Sequence, residues 1–297
     1  MPSLPRKIYS SGQALLLVLL SMAVVLTVVL SILARSVTDI SITTQDEESL
    51  RAFYAAEAGV EKALLAGSSQ TGTVGEANYS TSVTSFAEGL QEFVYQIALT
   101  SGESATIWFV AHDTAGNLVC SEQQPCFKGE SLKVCWGKAG TSALSDTTPA
   151  IEVTVYYTAV PGDYTTARVA RETIDPNVTR RAGNYFSAPD SGTCKIGETT
   201  FEFQKTLTFS DLNIPAASYG ASNGLQFARI RAFYNTDTSH QIGVSTLGTG
   251  TLPAQGVRIE SSGTSGEANR KLDVFQSFGE SPSIFDSAIF SPPGITK

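Results

Sequence analysis

Four cysteines, Cys120, Cys126, Cys135 and Cys194, and two histidines, His112 and His240, are the side chains in this chain best suited to metal, redox or nucleophile chemistry. Zinc requires such ligands in close pairs of the CxxC kind, and the cysteine spacing offers none. An even cysteine set outside the cytoplasm ordinarily forms disulfides instead. Three pairings are open. The favoured one joins Cys120 to Cys126 around the short loop SEQQP and Cys135 to Cys194, tying an earlier lobe to a later one. Neither histidine stands in HExxH or beside a nucleophile motif, and GxSxG and GxxxxGK[ST] are absent. His112 falls in AHDTAGN, where residues 113–117 read as a hairpin turn.

The remaining candidates also read as ordinary structure. Asp46, Glu47 and Glu48 are consecutive, so on a helix they point to different sides and form a solvated or subunit-facing surface rather than a metal site. NTDTS at 235–239 lacks the glycine and following acid of a calcium loop. NYS at Asn78 and NVT at Asn177 mark loops compatible with glycosylation. Trp108, Trp136, Phe201, Phe203, Phe227 and Tyr234 occupy strand positions and read as core, with display on an adhesive surface as the alternative. Catalytic residues, cofactors and metals are therefore not expected.

The element that must position everything else begins at Gly12. From Gln13 to Ala58 the chain has neither Gly nor Pro, so nothing interrupts a helix. Residues 14–34 carry no charge, are apolar on every side and are long enough for the roughly 30 Å hydrocarbon core of a bilayer. After Arg35 the pattern becomes amphipathic, with Leu50, Phe53, Ala56 or Glu57, Val60 and Leu64 near one stripe. That stripe needs cover from the rest of the chain or from a neighbouring copy. Gly67 is positioned as a left-handed cap.

A short leader with Arg6 and Lys7, a Gly before an uninterrupted hydrophobic helix, and an amphipathic continuation resemble a type IV prepilin or pseudopilin. The start GQALLLVLL and the later AFYAAEAGVEKAL most resemble PilX-type minor pilins and the K-type pseudopilins of type II secretion. The resemblance implies cleavage by prepilin peptidase between Gly12 and Gln13 and methylation of the new amino group of Gln13. It implies a membrane-inserted subunit that packs with other pilin subunits through the helix and is handled by a pilus assembly platform. Major pilins have Glu at the fifth mature position; Leu17 stands there, as K-type pseudopilins also lack that acid, which implies a place at the filament tip. LPAQGVRIESSGTSGEANRKLDVFQ resembles the terminal hairpin of PilX-type pilins, with SGTSGEANR as its turn.

Beyond the helix the period changes from 3.6 to 2. Alternation within QEFVYQIAL, ATIWFV, LKVCW and IEVTVYY, and candidate strands at 200–209, 225–234, 241–244, 256–260 and 271–275, predict an antiparallel β-sandwich in an α+β chain. The expected organisation is leader 1–12, helix 13–66, linker 67–77, a β-rich lobe with cysteines at 78–190 and a pilin-like β lobe at 191–297, with residues 175–193 as the boundary. The 297 residues carry a formal charge of -8, which repels phosphate and argues against nucleic acid as a partner. Arg6 and Lys7 before the span and acids after it place the C-terminal part outside the cytoplasm.

Overall fold

A computed structural model of the protein describes residues 11–113, 115–248 and 250–280; the leader residues 1–10, with Arg6 and Lys7, and the stretch 281–297 lie outside the described residues. In chain order the elements are α1 (Ser11–Ala66), β1 (Thr71–Val74), β2 (Ala77–Ser85), β3 (Glu92–Val94), β4 (Ser104–Trp108), β5 (Ala111–His112), β6 (Leu118–Val119), β7 (Ser131–Lys138), β8 (Ala150–Thr158) and β9 (Ala167–Ile174). They continue with α2 (Val178–Asn184), β10 (Cys194–Ile196), β11 (Thr199–Thr208), α3 (Ala216–Tyr219), β12 (Leu225–Phe233), β13 (Ile242–Ser245), β14 (Gly256–Ser265) and β15 (Ala268–Ser277). The chain is α+β, one long apolar helix followed by mostly antiparallel sheet. It divides into two units, residues 1–82 with 260–272, and residues 83–259 with 273–297.

In the first unit α1 runs 56 residues without a break, about 84 Å at helical rise. It ends where expected: Gly67 takes φ +63° and donates its N–H to Ala63 O at 2.8 Å. The stretch read as a linker contains β1, which pairs with β2 through Val74↔Ala77 across the turn Gly75-Glu76. The stretch SGTSGEANR, read as a turn, is strand up to Ser265, and only Gly266-Glu267 turns before β15. Both turns put glycine first, at φ +59° and +53°, the position where a two-residue hairpin needs positive φ to follow the twist of its strands. The two hairpins are built on nearly the same heptapeptide, GTVGEAN at 72–78 and GTSGEAN at 263–269, which differ only at Val74 and Ser265. One sheet takes the order β1-β2-β14-β15.

In the second unit a five-stranded sheet, β10-β11-β7-β13-β3, and a four-stranded sheet, β4-β12-β8-β9, share one core. Strand alternation supplies it: Leu132, Val134 and Trp136 from β7 and Ile242 and Val244 from β13 meet Ile107, Ile151, Val153, Val155 and Ile230 from the other sheet. On the opposite face of β7, Cys135, Cys194, Ile196 and Phe201 form a smaller cluster. Gly243 permits it, because a Cβ there would stand 2.7 Å from the Phe201 ring.

Strands from before and after residue 190 interleave in both sheets, so the expected lobes 78–190 and 191–297 do not correspond to separate sheets. The physical reason lies in residues 175–193, which fold as structure rather than linker. Asn177 caps α2 by accepting from the N–H groups of Thr179 and Arg180. The buried Asp175 carboxylate accepts from Arg180 Nε at 3.0 Å, Arg180 NH2 at 2.7 Å and Asn184 Nδ2 at 2.8 Å. Arg180 reaches on to the carbonyls of Asp146 and Thr148 and lies 4.0 Å over the Tyr234 ring. Buried and engaged as a cap, Asn177 is not the open glycosylation loop its sequon promised.

Candidate assembly helix and its seat

Two very different surfaces lie along α1. From Ala14 to Glu47 every residue is exposed, including Leu15, Leu20, Val25, Leu30 and Leu33. Leu17, where the expected acid is missing, is 61% exposed. Gly12 and Gln13 lie in the first turn of the helix. This half is long and apolar enough to cross a membrane, and none of its apolar window is buried. A surface greasy on all sides costs about 25 cal/mol for each Å² left in water, so it requires lipid or other apolar helices.

From Glu48 the helix acquires a seat. Ala52, Ala55, Ala56, Gly59, Val60 and Ala63 are buried, a spacing that keeps them on one helical face. The seat is made by the strand Ser261–Ser265 and by β2. A Cβ on Gly263 would lie 1.9 Å from Ala52 O and 2.6 Å from Ala56 N, so strand backbone rests directly on helix backbone. Ser261 Oγ donates to Ala56 O at 2.7 Å, and a Cβ on Gly59 would meet that hydroxyl at 2.5 Å.

Both copies of the heptapeptide turn brace the helix within one helical turn of each other. Arg51 pairs with Glu47 at 2.7 Å and with Glu76 of the first turn at 2.6 Å. The Glu48 carboxylate accepts from Glu267 N of the second turn at 3.2 Å, and Arg270 donates to Ser49 Oγ. The acids at 46–48 thus mark the start of the seat.

The expected apolar stripe was partly misplaced. Val60 and Ala56 are buried as expected, but Leu50, Phe53 and Leu64 are exposed, and Leu65 is 85% exposed. Hydrophobic periodicity weights large side chains, whereas a strand lying flat on a helix selects small ones. The repeated heptapeptide and the alanine and glycine spacing in AFYAAEAG were the signals that would have located the seat.

The disulfides are Cys120–Cys126, closing the SEQQP loop, and Cys135–Cys194, joining β7 to β10 within one sheet rather than two lobes. Burial holds both imidazoles below the usual histidine pKa. His240 Nδ1 accepts from Lys138 N at 3.0 Å, and His112 stacks on Phe278 at 4.0 Å. Asp113 accepts from the N–H groups of Ala115 and Asn117 and from Asn117 Nδ2, fixing the turn expected there. Trp108, Trp136, Phe201 and Phe203 are buried and Phe227 is half-buried, while Tyr234, expected on a strand, lies half-buried just past the end of β12. Among the described residues no group of three His, Cys, Asp or Glu side chains is arranged to hold a metal.

No protein-family model, curated protein or solved structure matches the chain.

Proposed function

We propose that this protein is a non-enzymatic minor pilin or pseudopilin, a structural subunit of a type IV pilus or type II secretion-like filament, placed at the tip. One observation carries the reading: a single unbroken helix is exposed around its whole apolar half and bedded through small residues over its wet half. Such a helix can rest in a bilayer and then exchange lipid for the helices of other subunits, an association driven by packing rather than by escape from water. Cleavage after Gly12 by prepilin peptidase, methylation of Gln13 and transfer by an assembly platform follow in this reading. Leu17 in place of an acid leaves no carboxylate for the amino terminus of a neighbour and avoids burying a charge in lipid.

Intact mass and amino-terminal sequencing of protein from membranes and from sheared filaments test the proposal. A methylated chain beginning at Gln13 in the filament fraction is expected. A retained leader on every molecule, with none in filaments, would overturn it in favour of a signal-anchored extracellular adhesin or binding module that does not polymerise. Leu17→Glu tests the tip assignment separately, since unchanged assembly and position along the filament would remove it.

A further inference from the structure

Asn78 and Asn177 each open the tripeptide Asn-x-Ser/Thr that transfer of an oligosaccharide to an amide nitrogen requires, NYS at 78–80 and NVT at 177–179. Asn269 ends the second heptapeptide as Asn78 ends the first, but Arg270 and Lys271 follow it, so no hydroxyl stands two residues on. The three asparagines separate what the motif needs from what the fold allows. At Asn177 the fold forbids the reaction. That residue is 3% exposed, its Oδ1 accepts from the N–H groups of Thr179 and Arg180, and its Nδ2 donates to Ser145 O at 3.1 Å. A sugar on that nitrogen would break the cap of α2.

Asn78 meets neither obstacle. It is the second residue of β2, on a strand rather than in a loop, and alternation sorts its neighbours between two faces. Ala77, Tyr79 and Thr81 turn inward: a Cβ on Gly72 would stand 2.6 Å from the Tyr79 hydroxyl, and one on Gly59 of α1 would stand 3.0 Å from both the Tyr79 ring and the Thr81 methyl. Asn78 and Ser80 point the other way and are exposed. Among the described residues no hydrogen bond engages the Asn78 side-chain amide. The acceptor nitrogen and the hydroxyl read with it therefore share one open face. Access during synthesis is also provided. β2 lies between β1 and β14, and β14 begins only at Gly256, so one side of the tripeptide stays unpaired until late in the chain.

We propose that Asn78 is an N-glycosylation site and that Asn177 and Asn269 are not, the donor being an oligosaccharide joined through its anomeric carbon to a lipid diphosphate. In the transfer the bond from the anomeric carbon to the phosphate oxygen breaks, and the lipid diphosphate leaves with the bonding pair. Asn78 Nδ2 bonds to the anomeric carbon and gives up one proton; nothing is oxidised or reduced. The inference rests on the extracytoplasmic placement contained in the proposed function and not on filament assembly. A bulky, solubilising chain at this position keeps the outer side of β2 wet in whatever the subunit joins.

The test is glycopeptide mass spectrometry on the protein purified from membranes of the cells that make it, beside Asn78→Gln, Ser80→Ala and Ser80→Thr. A mass excess of whole monosaccharide units is expected, placed on Asn78 by fragmentation and surviving the alkaline elimination that strips sugars from Ser and Thr. It should vanish in Asn78→Gln and Ser80→Ala and persist in Ser80→Thr. A bare Asn78 in the wild-type chain, an excess that survives Asn78→Gln, or a sugar on Asn177 or Asn269 would overturn the inference. The wild-type measurement decides alone should a variant fail to accumulate. The cysteines in the same sample tell the two readings apart: with both disulfides formed, a bare Asn78 removes only this site, whereas four free thiols remove the extracytoplasmic placement with it.

Discussion

The seat of α1 and the sandwich core are both closely packed, and they reach that state by opposite means. In the seat, Ala52, Ala55, Ala56, Gly59 and Gly263 bring helix backbone onto strand backbone with almost no side chain between. In the sandwich, Trp136, Phe109, Phe127 and Phe209 are fully buried and fill the roughly 10 Å that separates facing sheets. The first arrangement has no room for an added carbon. The second cannot lose one without leaving a void, because interiors pack as densely as organic crystals.

The largest effect is therefore expected from removing atoms in the sandwich. Trp136→Ala deletes a fully buried ring whose Nε1 donates to Pro149 O at 2.9 Å, and should lower unfolding stability by about 4 kcal/mol in a denaturant titration. Adding atoms in the seat comes next. Gly263→Val drives a branched side chain into the Ala52 carbonyl and should cost about 3 kcal/mol, with loss of the Ser261 to Ala56 contact seen as faster amide exchange in that stretch of α1. If the same glycine accepted valine without loss, the contrast between the two regions would collapse.

A polar prediction sharpens the contrast, since the sandwich unit also holds a buried ion pair. Burial opposes ionisation of Asp175, but bonds from Arg180, the N–H of Asn177 and Asn184, with the charge of Arg180, together hold its pKa below the usual carboxylate range. Its folded value is thus depressed relative to about 3.9 in the unfolded chain, so its stabilisation is complete above that pH and drains as pH falls through the folded value. Asp175→Asn should cost about 2 kcal/mol at neutral pH and flatten that part of the acid-unfolding profile. The smallest effect belongs to the apolar half of the helix. Leu17→Ala removes no packed neighbour within the chain and should change unfolding by about 0.5 kcal/mol or less.

Helix α1 was legible because its signals are local: no Gly or Pro from Gln13 to Ala58, and a glycine where the cap falls. Strands β7, β8, β11 and β12 were legible because one face of each is apolar. β9 was not, since ARVARETI alternates Val169, Arg171 and Thr173 against Arg168, Ala170 and Glu172, leaving little apolar contrast at a sheet edge. α2 was hidden among turn formers because its stability comes from the Asn177 cap and the Asp175 network, neither of which has a period. The seat was missed for a related reason: alanine and glycine carry little hydrophobic weight, and their fit is decided by a strand far away in sequence.

That distance orders events in time. Ser261 meets Ala56 across 205 intervening steps of chain, whereas β1 and β2 close over two residues shortly after the helix ends. Local hairpins form in microseconds, and distant pairings wait for loop closure and for synthesis itself. A nascent molecule therefore carries its rod and first brace long before the second brace is made. Nearly identical heptapeptides occupy both posts, and the backbone of α1 around Ala52 and Ala56 stays without its Gly263 and Ser261 contacts until the later one is made.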